Sequence, residues 1–496
     1  MLDECQIYKI LDGKETVSVE MKAARKGIPE SIYETYSSFA NTNGGFIILG
    51  ITEIRTKDEV LYEITGVENA NAMISNFWNT IHSRQKVNRN ILKDEDVYSI
   101  EVDGKTLVVI EVPRATYYHK PIYVGSNPMN GTYKRKHEGD YLCDIENVYA
   151  MIRDAAKESR ETDIVEGYDM RDVDLDGLRS YRNRFRFMND GHVFQNLSDK
   201  EFLMKIGGYA IDHKNDIEGL THAGLLMFGT NQAFNENYFN VNLDYRNETN
   251  LIGNMRWSDR VIENGMWERN LYNFVDKVYP KIISEFPVPF QMRDFLQRTD
   301  ETALHTAARE AMINTIIHAD FMESWCNIVI VKKDDHILYF NAGLLRLPQE
   351  IVLNGGCSAV RNPILQKMFR FIGFGEGAGS GYDKILYPSR HEGYKTPDLS
   401  EDFDCRLTRL KLWTVKEKDM KIVKEETQMI DLPNILSKVY ETICKHPGSR
   451  VPKISEYCGL DEVSIRNAIK ALKKKSLINY VGSSKEGGYF IEDNKM

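Results

Sequence analysis

Three observations predict a multidomain α+β protein. The 496 residues amount to about three times the ~150 of a typical domain. Period-two stretches and helix-period stretches both recur along the chain. A content of 42% hydrophobic and 28% charged residues, with 14 Pro, belongs to globular proteins and excludes the disordered, collagen-like and membrane classes. The longest apolar stretches, such as Phe46-Ile47-Ile48-Leu49, fall far short of the ~20 residues that a membrane-spanning helix needs. Met1-Leu2-Asp3-Glu4 lacks the basic-then-apolar order of a signal peptide. The expectation is a cytoplasmic protein with no membrane partner. Seven cysteines stand singly and in odd number, which argues for reduced thiols rather than a zinc ribbon or a disulfide framework. A net charge of -9 discourages a nucleic-acid partner for the chain as a whole, yet it can hide a basic face on one domain.

The elements follow in order. From Lys14 to Lys22, Val17, Val19 and Met21 alternate with polar residues, the pattern of a half-buried strand. Pro29 suits the first turn of a helix carrying Ile32, Tyr36 and Phe39, which the Asn43-Gly44-Gly45 break ends before an apolar strand from Phe46 to Ile51. Strands Val97 to Val102 and Leu107 to Val112 are joined by Asp103-Gly104, a hairpin signal. Residues 1–155 thus read as one α+β domain. Residues 156–300 read as a bridging α/β region, with a Thr221-His222-Ala223-Gly224 turn and a strand from Tyr238 to Tyr245. In the 301–415 unit a helix spans Ala303 to His318, strands cover Asn327 to Lys332 and Ile337 to Asn341, and a glycine-rich segment precedes another helix. Residues 416–430 are a charged linker and 431–496 a compact tail.

Glu20 and Lys22, two apart on a strand, share a face, and Glu15 lies one or two strand steps upstream. Carboxylates can hold Mg²⁺ or Mn²⁺ while a lysine stabilises charge developing on phosphate, as a phosphodiester hydrolase requires. A solvated strand face carries the same residues, so spacing leaves both readings open. The run Glu15-Thr16-Val17-Ser18-Val19-Glu20-Met21-Lys22, followed by Ser38-Phe39-Ala40-Asn41-Thr42-Asn43-Gly44-Gly45 and the strand to Ile51, resembles the Schlafen AlbA-type domain over about the first 155 residues. The resemblance implies a metal site of Glu15, Glu20 and Glu53, with Glu53 in place of the usual aspartate, and a nuclease in which Lys22 stabilises the transition state. For other relatives it implies nucleic-acid binding alone.

Later in this region Arg114, Lys120, Lys134, Arg135 and Lys136 interleave with Tyr117, Tyr118, His119, Tyr123, Tyr133 and His137. Cations meet phosphate and flat rings stack on unpaired bases, so this stretch predicts a surface for single-stranded or looped RNA or for single-stranded DNA. An exposed strand pair with partly buried tyrosines is the alternative.

On the Ala303 to His318 helix, Glu310, Asn314 and His318 recur every four residues and share a face. Glycines at Gly375, Gly377, Gly379 and Gly381 lead into the next helix, where backbone N–H groups and a helix N-terminus favour phosphate. Together with Asn341-Ala342-Gly343 and Arg361-Asn362-Pro363, these residues resemble the ATP-binding C-terminal domain of RecG-related helicases, a divergent GHKL-type α/β sandwich. Thr221 to Gly229 extends the resemblance to roughly 170–415. It implies that ATP is the ligand, that Glu310 activates the hydrolytic water, that Asn314 coordinates Mg²⁺, and that the glycines cover the phosphates. Asn341 would read the adenine amino group where an aspartate is usual, since an amide oxygen also accepts that hydrogen bond. His318 and Gly343 complete the nucleotide-binding set. There is no Walker A motif.

Three helices and a hairpin in 431–496 resemble a winged helix-turn-helix, with eleven Lys and Arg against eight Asp and Glu. Arg466 and Lys470, one turn apart, would contact phosphate; a docking or dimerisation role for such a domain is the other reading. Two functional classes follow. One is a metal-dependent nuclease, acting on RNA and controlled by a nucleotide switch, in stress or antiphage defence. The other is an ATP-responsive DNA-binding regulator. The expected partners are RNA or DNA and a second copy of the chain.

Overall fold

A computed structural model describes residues 1–496 apart from 14–16, 26, 56–59, 157–158, 252, 254, 287–291, 294–296, 299–300, 376–380, 419–433, 475–477, 482–486 and 492–496. The chain forms two compact units, Met1–Thr414 and Val415–Met496. No helix among the described residues is long and apolar enough to cross a membrane.

The first unit opens with a four-stranded sheet in the order Val19–Lys22, Gly45–Leu49, Lys105–Val112, Val97–Val102. The first pair is parallel and the others antiparallel. A parallel pair needs a crossover, and the helix Ser31–Asn41 supplies it. Strand Gly45–Leu49 is buried on both faces. Ile47 and Leu49 pack with Tyr36, Phe39 and Phe77, whereas Ile48 packs with Ile7, Met21 and Val109. Two-sided burial is why its sequence shows no alternation. The Asp103-Gly104 turn forms with φ of 52° and 70°, the left-handed pair that a two-residue hairpin turn requires. The strand predicted from Lys14 is seen from Val19 onward; Lys14, Glu15 and Thr16 lie outside the described residues.

The larger sheet has six strands in the order Asp259–Val261, Val241–Asn247, Cys326–Lys332, His336–Ala342, Leu407–Trp413, Asp398–Asp402. Val241–Asn247 and Cys326–Lys332 are parallel neighbours. The division expected at residue 300 therefore runs through a single sheet and a single core, which extends from Val165 to Leu412. Tyr238, expected to open a strand, closes the helix Asn231–Tyr238 instead, because the Thr230 side chain caps that helix by accepting the Ala233 N–H. The helix Ala303–Ile317 is buried nearly all round, with Ala307, Ala308 and Ala311 fully buried and Glu310 and Thr315 among the polar residues enclosed with them. Tyr339 of the sheet donates to the Ala308 carbonyl at 3.3 Å.

The second unit holds helices Asn434–Lys445, Val451–Cys458 and Glu462–Lys474 and the antiparallel pair Ile478–Val481 and Gly488–Ile491. Val439, Ile443, Ile454, Ile465, Leu472 and Ile478 form its core.

Candidate functional site

Helical spacing brings Glu310, Asn314 and His318 to one cavity. Asn341 and Thr408, directly opposite each other on paired strands, line it from the sheet, and Gly381 and Tyr382 line it from the start of the helix Gly381–His391. Leu347, Val352, Ile385 and Leu410 give it an apolar wall. Glu310 is 8% exposed. A Cβ at Gly381 would overlap the Glu310 Oε1 atom, so a larger residue there would displace the Glu310 carboxylate. Asn341 donates its Nδ2 to the Ala342 carbonyl at 3.1 Å, which leaves Oδ1 as an acceptor. Thr408 donates to the Gly343 carbonyl at 2.8 Å. Burial, together with the Arg361 and Arg346 charges, pushes the His318 imidazole down to about 3, so it is neutral at physiological pH.

Five residues predicted from the sequence for the nucleotide thus converge: Glu310, Asn314, His318, Asn341 and Gly381. Gly343 is not among the described residues lining the cavity; with φ of 93° it turns the chain beside Arg361 and Asp320. Gly375 lies beside Ile313, also outside the described lining. Gly377 and Gly379 fall outside the described residues. The sequence did not point to Thr408, Tyr382 or Arg346. The Tyr382 hydroxyl is buried at this cavity and has no hydrogen-bond partner among the described residues, whereas Arg346 is engaged by Asp154, its Nε lying 3.6 Å from Oδ1 and its Nη2 donating to the Asp154 carbonyl. Burial pushes the Tyr382 hydroxyl up to about 12, so it stays a donor.

The N-terminal carboxylates are arranged differently from the metal site their spacing suggests. Glu20 is 5% exposed, and its two oxygens are held by Arg135 Nη2 at 2.8 Å and Lys22 Nζ at 2.5 Å. Arg135 also pairs with Asp140 at 3.0 Å and donates to the Val19 carbonyl. Glu53 pairs with Arg55 at 2.5 Å. Glu15 lies outside the described residues. Among the described residues no group of three or more His, Cys, Asp or Glu could hold a metal.

The basic stretch is largely turned inward. Arg114 forms a two-pronged pair with Glu401, with Nη2 to Oε1 at 2.9 Å, and donates to the Leu345 carbonyl. Lys120 donates to the Asn41 carbonyl at 2.6 Å, and burial holds its ammonium well below the usual lysine range. Lys134 sits 3.7 Å from Asp144 and 3.9 Å from Asp404, and Lys136 lies 2.7 Å from Asp404. Arg114, Lys120 and Arg135 therefore do not form the open cationic surface expected of them. Lys120 and Arg135 tie parts of residues 1–155 to each other, and Arg114 ties that region to Glu401 of the strand Asp398–Asp402 and to the Leu345 carbonyl. Nearby, Arg361 grips Asp154 with two bonds of 2.8 and 2.9 Å, and Arg153 meets Asp320 at 2.8 Å. In the second unit Arg466 is exposed and pairs with Glu462 at 2.9 Å, and Lys470 is exposed one turn on.

Family models match three stretches of the chain: "Schlafen, AlbA_2" over 10–144, a domain of unknown function over 149–244, and "Putative ATP-dependent DNA helicase recG C-terminal" over 326–408. The chain thus joins a Schlafen AlbA_2-type region to a recG C-terminal-type region. The helix bearing Glu310 and Asn314 precedes the third match. No curated protein matches the chain. Among solved structures it is similar to the crystal structure of the DIP2311 protein from Corynebacterium diphtheriae, at 15% identity over 98% of this chain and 99% of that one, with a TM-score of 0.39.

Proposed function

We propose that the chain binds ATP in the Glu310 cavity and nucleic acid through its N-terminal region, as a nucleotide-responsive nucleic-acid-binding protein. One observation carries the nucleotide reading: five residues predicted from the sequence share a cavity in which a buried donor, the Tyr382 hydroxyl, lacks a hydrogen-bond partner among the described residues. A buried donor without an acceptor costs free energy, so the cavity suits a ligand rich in acceptor oxygens. Asn341 Oδ1 would accept from a base amino group, and the apolar wall would hold the ring. Glu310 would orient and deprotonate the attacking water. Mg²⁺ entering with the nucleotide would neutralise phosphate charge, and Asn314 is the residue that would hold it.

Responsiveness follows from the loop that lines the cavity. The Arg346 carbonyl accepts the Tyr117 N–H at 3.2 Å and the Leu345 carbonyl accepts from Arg114, so residues of the Schlafen-type region grip the cavity wall. The carboxylates give the second reading, a metal-dependent nuclease acting on RNA. Glu20 is held by Arg135 and Lys22, Glu53 pairs with Arg55, and Glu15 lies outside the described residues, so what is described favours the binding reading.

The test is thermal denaturation with and without ATP and Mg²⁺. At a hundredfold excess over Kd a bound ligand stabilises by about 2.7 kcal/mol, which raises the parent's Tm. Asn314→Ala should lose that rise. Glu310→Gln should keep it while slowing hydrolysis, because a general base acts in the transition state more than in the ground state. Stabilisation of Asn314→Ala equal to that of the parent would place the nucleotide elsewhere. Mn²⁺-dependent cleavage of RNA by the parent would restore the nuclease reading.

A further inference from the structure

With Arg114, Lys120 and Arg135 spent on internal partners, a nucleic acid must meet other cations. The fold leaves a different set exposed beside the same tyrosines. The helical turn Tyr117–His119 projects Tyr118, which is 52% exposed. Its ring stands edge-on to Tyr117 at 5.3 Å and to His119 at 4.3 Å between centroids. Tyr117 in turn lies under the Arg346 guanidinium at 4.4 Å, so the turn is fixed from below.

The loop from Ser83 to Lys93 runs alongside. Asn88 donates its N–H to the Tyr123 carbonyl and its Nδ2 to the Pro121 carbonyl, both at 3.0 Å, and Gly125 donates to the Lys86 carbonyl at 2.8 Å. The Tyr36 hydroxyl donates to the Arg89 carbonyl and accepts the Ile91 N–H, pinning the loop to the core. The loop carries Arg84, Lys86, Arg89 and Lys93 and no carboxylate. Lys86 pairs with Glu30 and Lys93 with Glu95, while Arg84 and Arg89 are exposed and have no ion-pair partner among the described residues. Burial, together with the Arg89 charge, lowers the His119 imidazole from its usual value.

We propose that Tyr118, His119 and Arg89 form a contact surface for single-stranded nucleic acid, with a base stacked on the Tyr118 ring and a phosphate held by Arg89. An exposed aromatic offers its face to any unpaired base, and an unpaired arginine offers a planar fork to phosphate oxygens. A duplex keeps its base faces stacked internally, so the surface selects single strands. The inference rests on the nucleic-acid reading above and names where that contact is made.

The test is fluorescence anisotropy of the full chain with labelled oligo(U), oligo(dT) and a duplex. The parent should bind the single strands more tightly than the duplex; tighter binding of oligo(U) assigns RNA and tighter binding of oligo(dT) assigns DNA, and either supports the surface. Tyr118→Ala should weaken binding about tenfold with an unchanged salt slope, as removal of one base stack does, and Tyr118→Phe should restore it. Arg89→Glu should weaken binding and flatten the salt dependence by about 0.7 in log–log slope for each phosphate that the side chain no longer neutralises. Single-strand binding that survives both Tyr118→Ala and Arg89→Glu would overturn this surface while leaving the nucleic-acid reading standing. A parent that binds none of the oligonucleotides would overturn both.

Discussion

At Glu161 burial and backbone donors pull a carboxyl group in opposite directions, and burial prevails. Its oxygens accept the Ile364 N–H at 2.5 Å and the Leu365 N–H at 3.1 Å, in the first turn of the helix Pro363–Phe371, where a negative charge is favoured. Desolvation nevertheless pushes the group from 4.5 up to about 7. Between those values the folded chain binds a proton that the unfolded chain has released, so this residue's contribution to stability falls as pH rises from about 4.5 to about 7. Half-buried His222 and buried His305 act the other way. Burial lowers both below 6.5, so they add stability as pH rises. The difference between parent and Glu161→Gln isolates the carboxyl: the parent's Tm, relative to the variant's, should decline across this window and level off above it. A constant difference would mean that Glu161 is ionised throughout. The same scale separates what the sequence discloses from what it hides. Glu310, Asn314 and His318 were legible because helical spacing is local. The fate of Arg114 was not, because its partner Glu401 lies 287 residues away and a sequence displays charges without their pairings.

At the scale of elements, Glu462–Lys474 presents Arg466 and Lys470 one turn apart on an exposed face. An exposed pair such as Arg466 with Glu462 is worth little, so the guanidinium can exchange its carboxylate for a phosphate. If the second unit acts as a winged helix on duplex DNA, Arg466→Ala with Lys470→Ala should lower affinity and reduce the salt slope by about two, close to one for each phosphate. An unchanged slope would favour a docking role. Elements defined by local chemistry were readable. Asp103-Gly104 determines its hairpin, and the break at Asn43-Gly44-Gly45 ends the helix Ser31–Asn41. Tyr238 misled because its aromatic, strand-favouring character competes with a cap eight residues upstream at Thr230, and the cap prevails. The neighbouring of Val241–Asn247 and Cys326–Lys332 could not be read, since parallel pairing leaves no turn signal between the strands.

At the scale of the whole molecule, the Schlafen-type region and the Glu310 cavity belong to one unit and are joined by buried ion pairs, whereas Val415–Met496 has a core of its own. Arg361 is central to the first arrangement: besides its two bonds to Asp154, it donates to the carbonyls of His318 and Leu344. Arg346 adds a bond to the Asp154 backbone carbonyl at 2.9 Å. Removing one member of a buried ion pair is costly because the remaining charge stays desolvated, and the penalty is typically about 3–5 kcal/mol. Asp154→Ala should therefore lower the unfolding temperature of Met1–Thr414 and weaken ATP-dependent stabilisation, since His318 and Arg346 line the cavity. The second unit has no part in that pair, so its transition should stay where it is. Scanning calorimetry of the parent should accordingly resolve two transitions, of which Asp154→Ala shifts one. A single transition that moves as a whole would show that the two units unfold together, and an unmoved first transition would mean that the Arg361 charge finds compensation in its carbonyl acceptors alone.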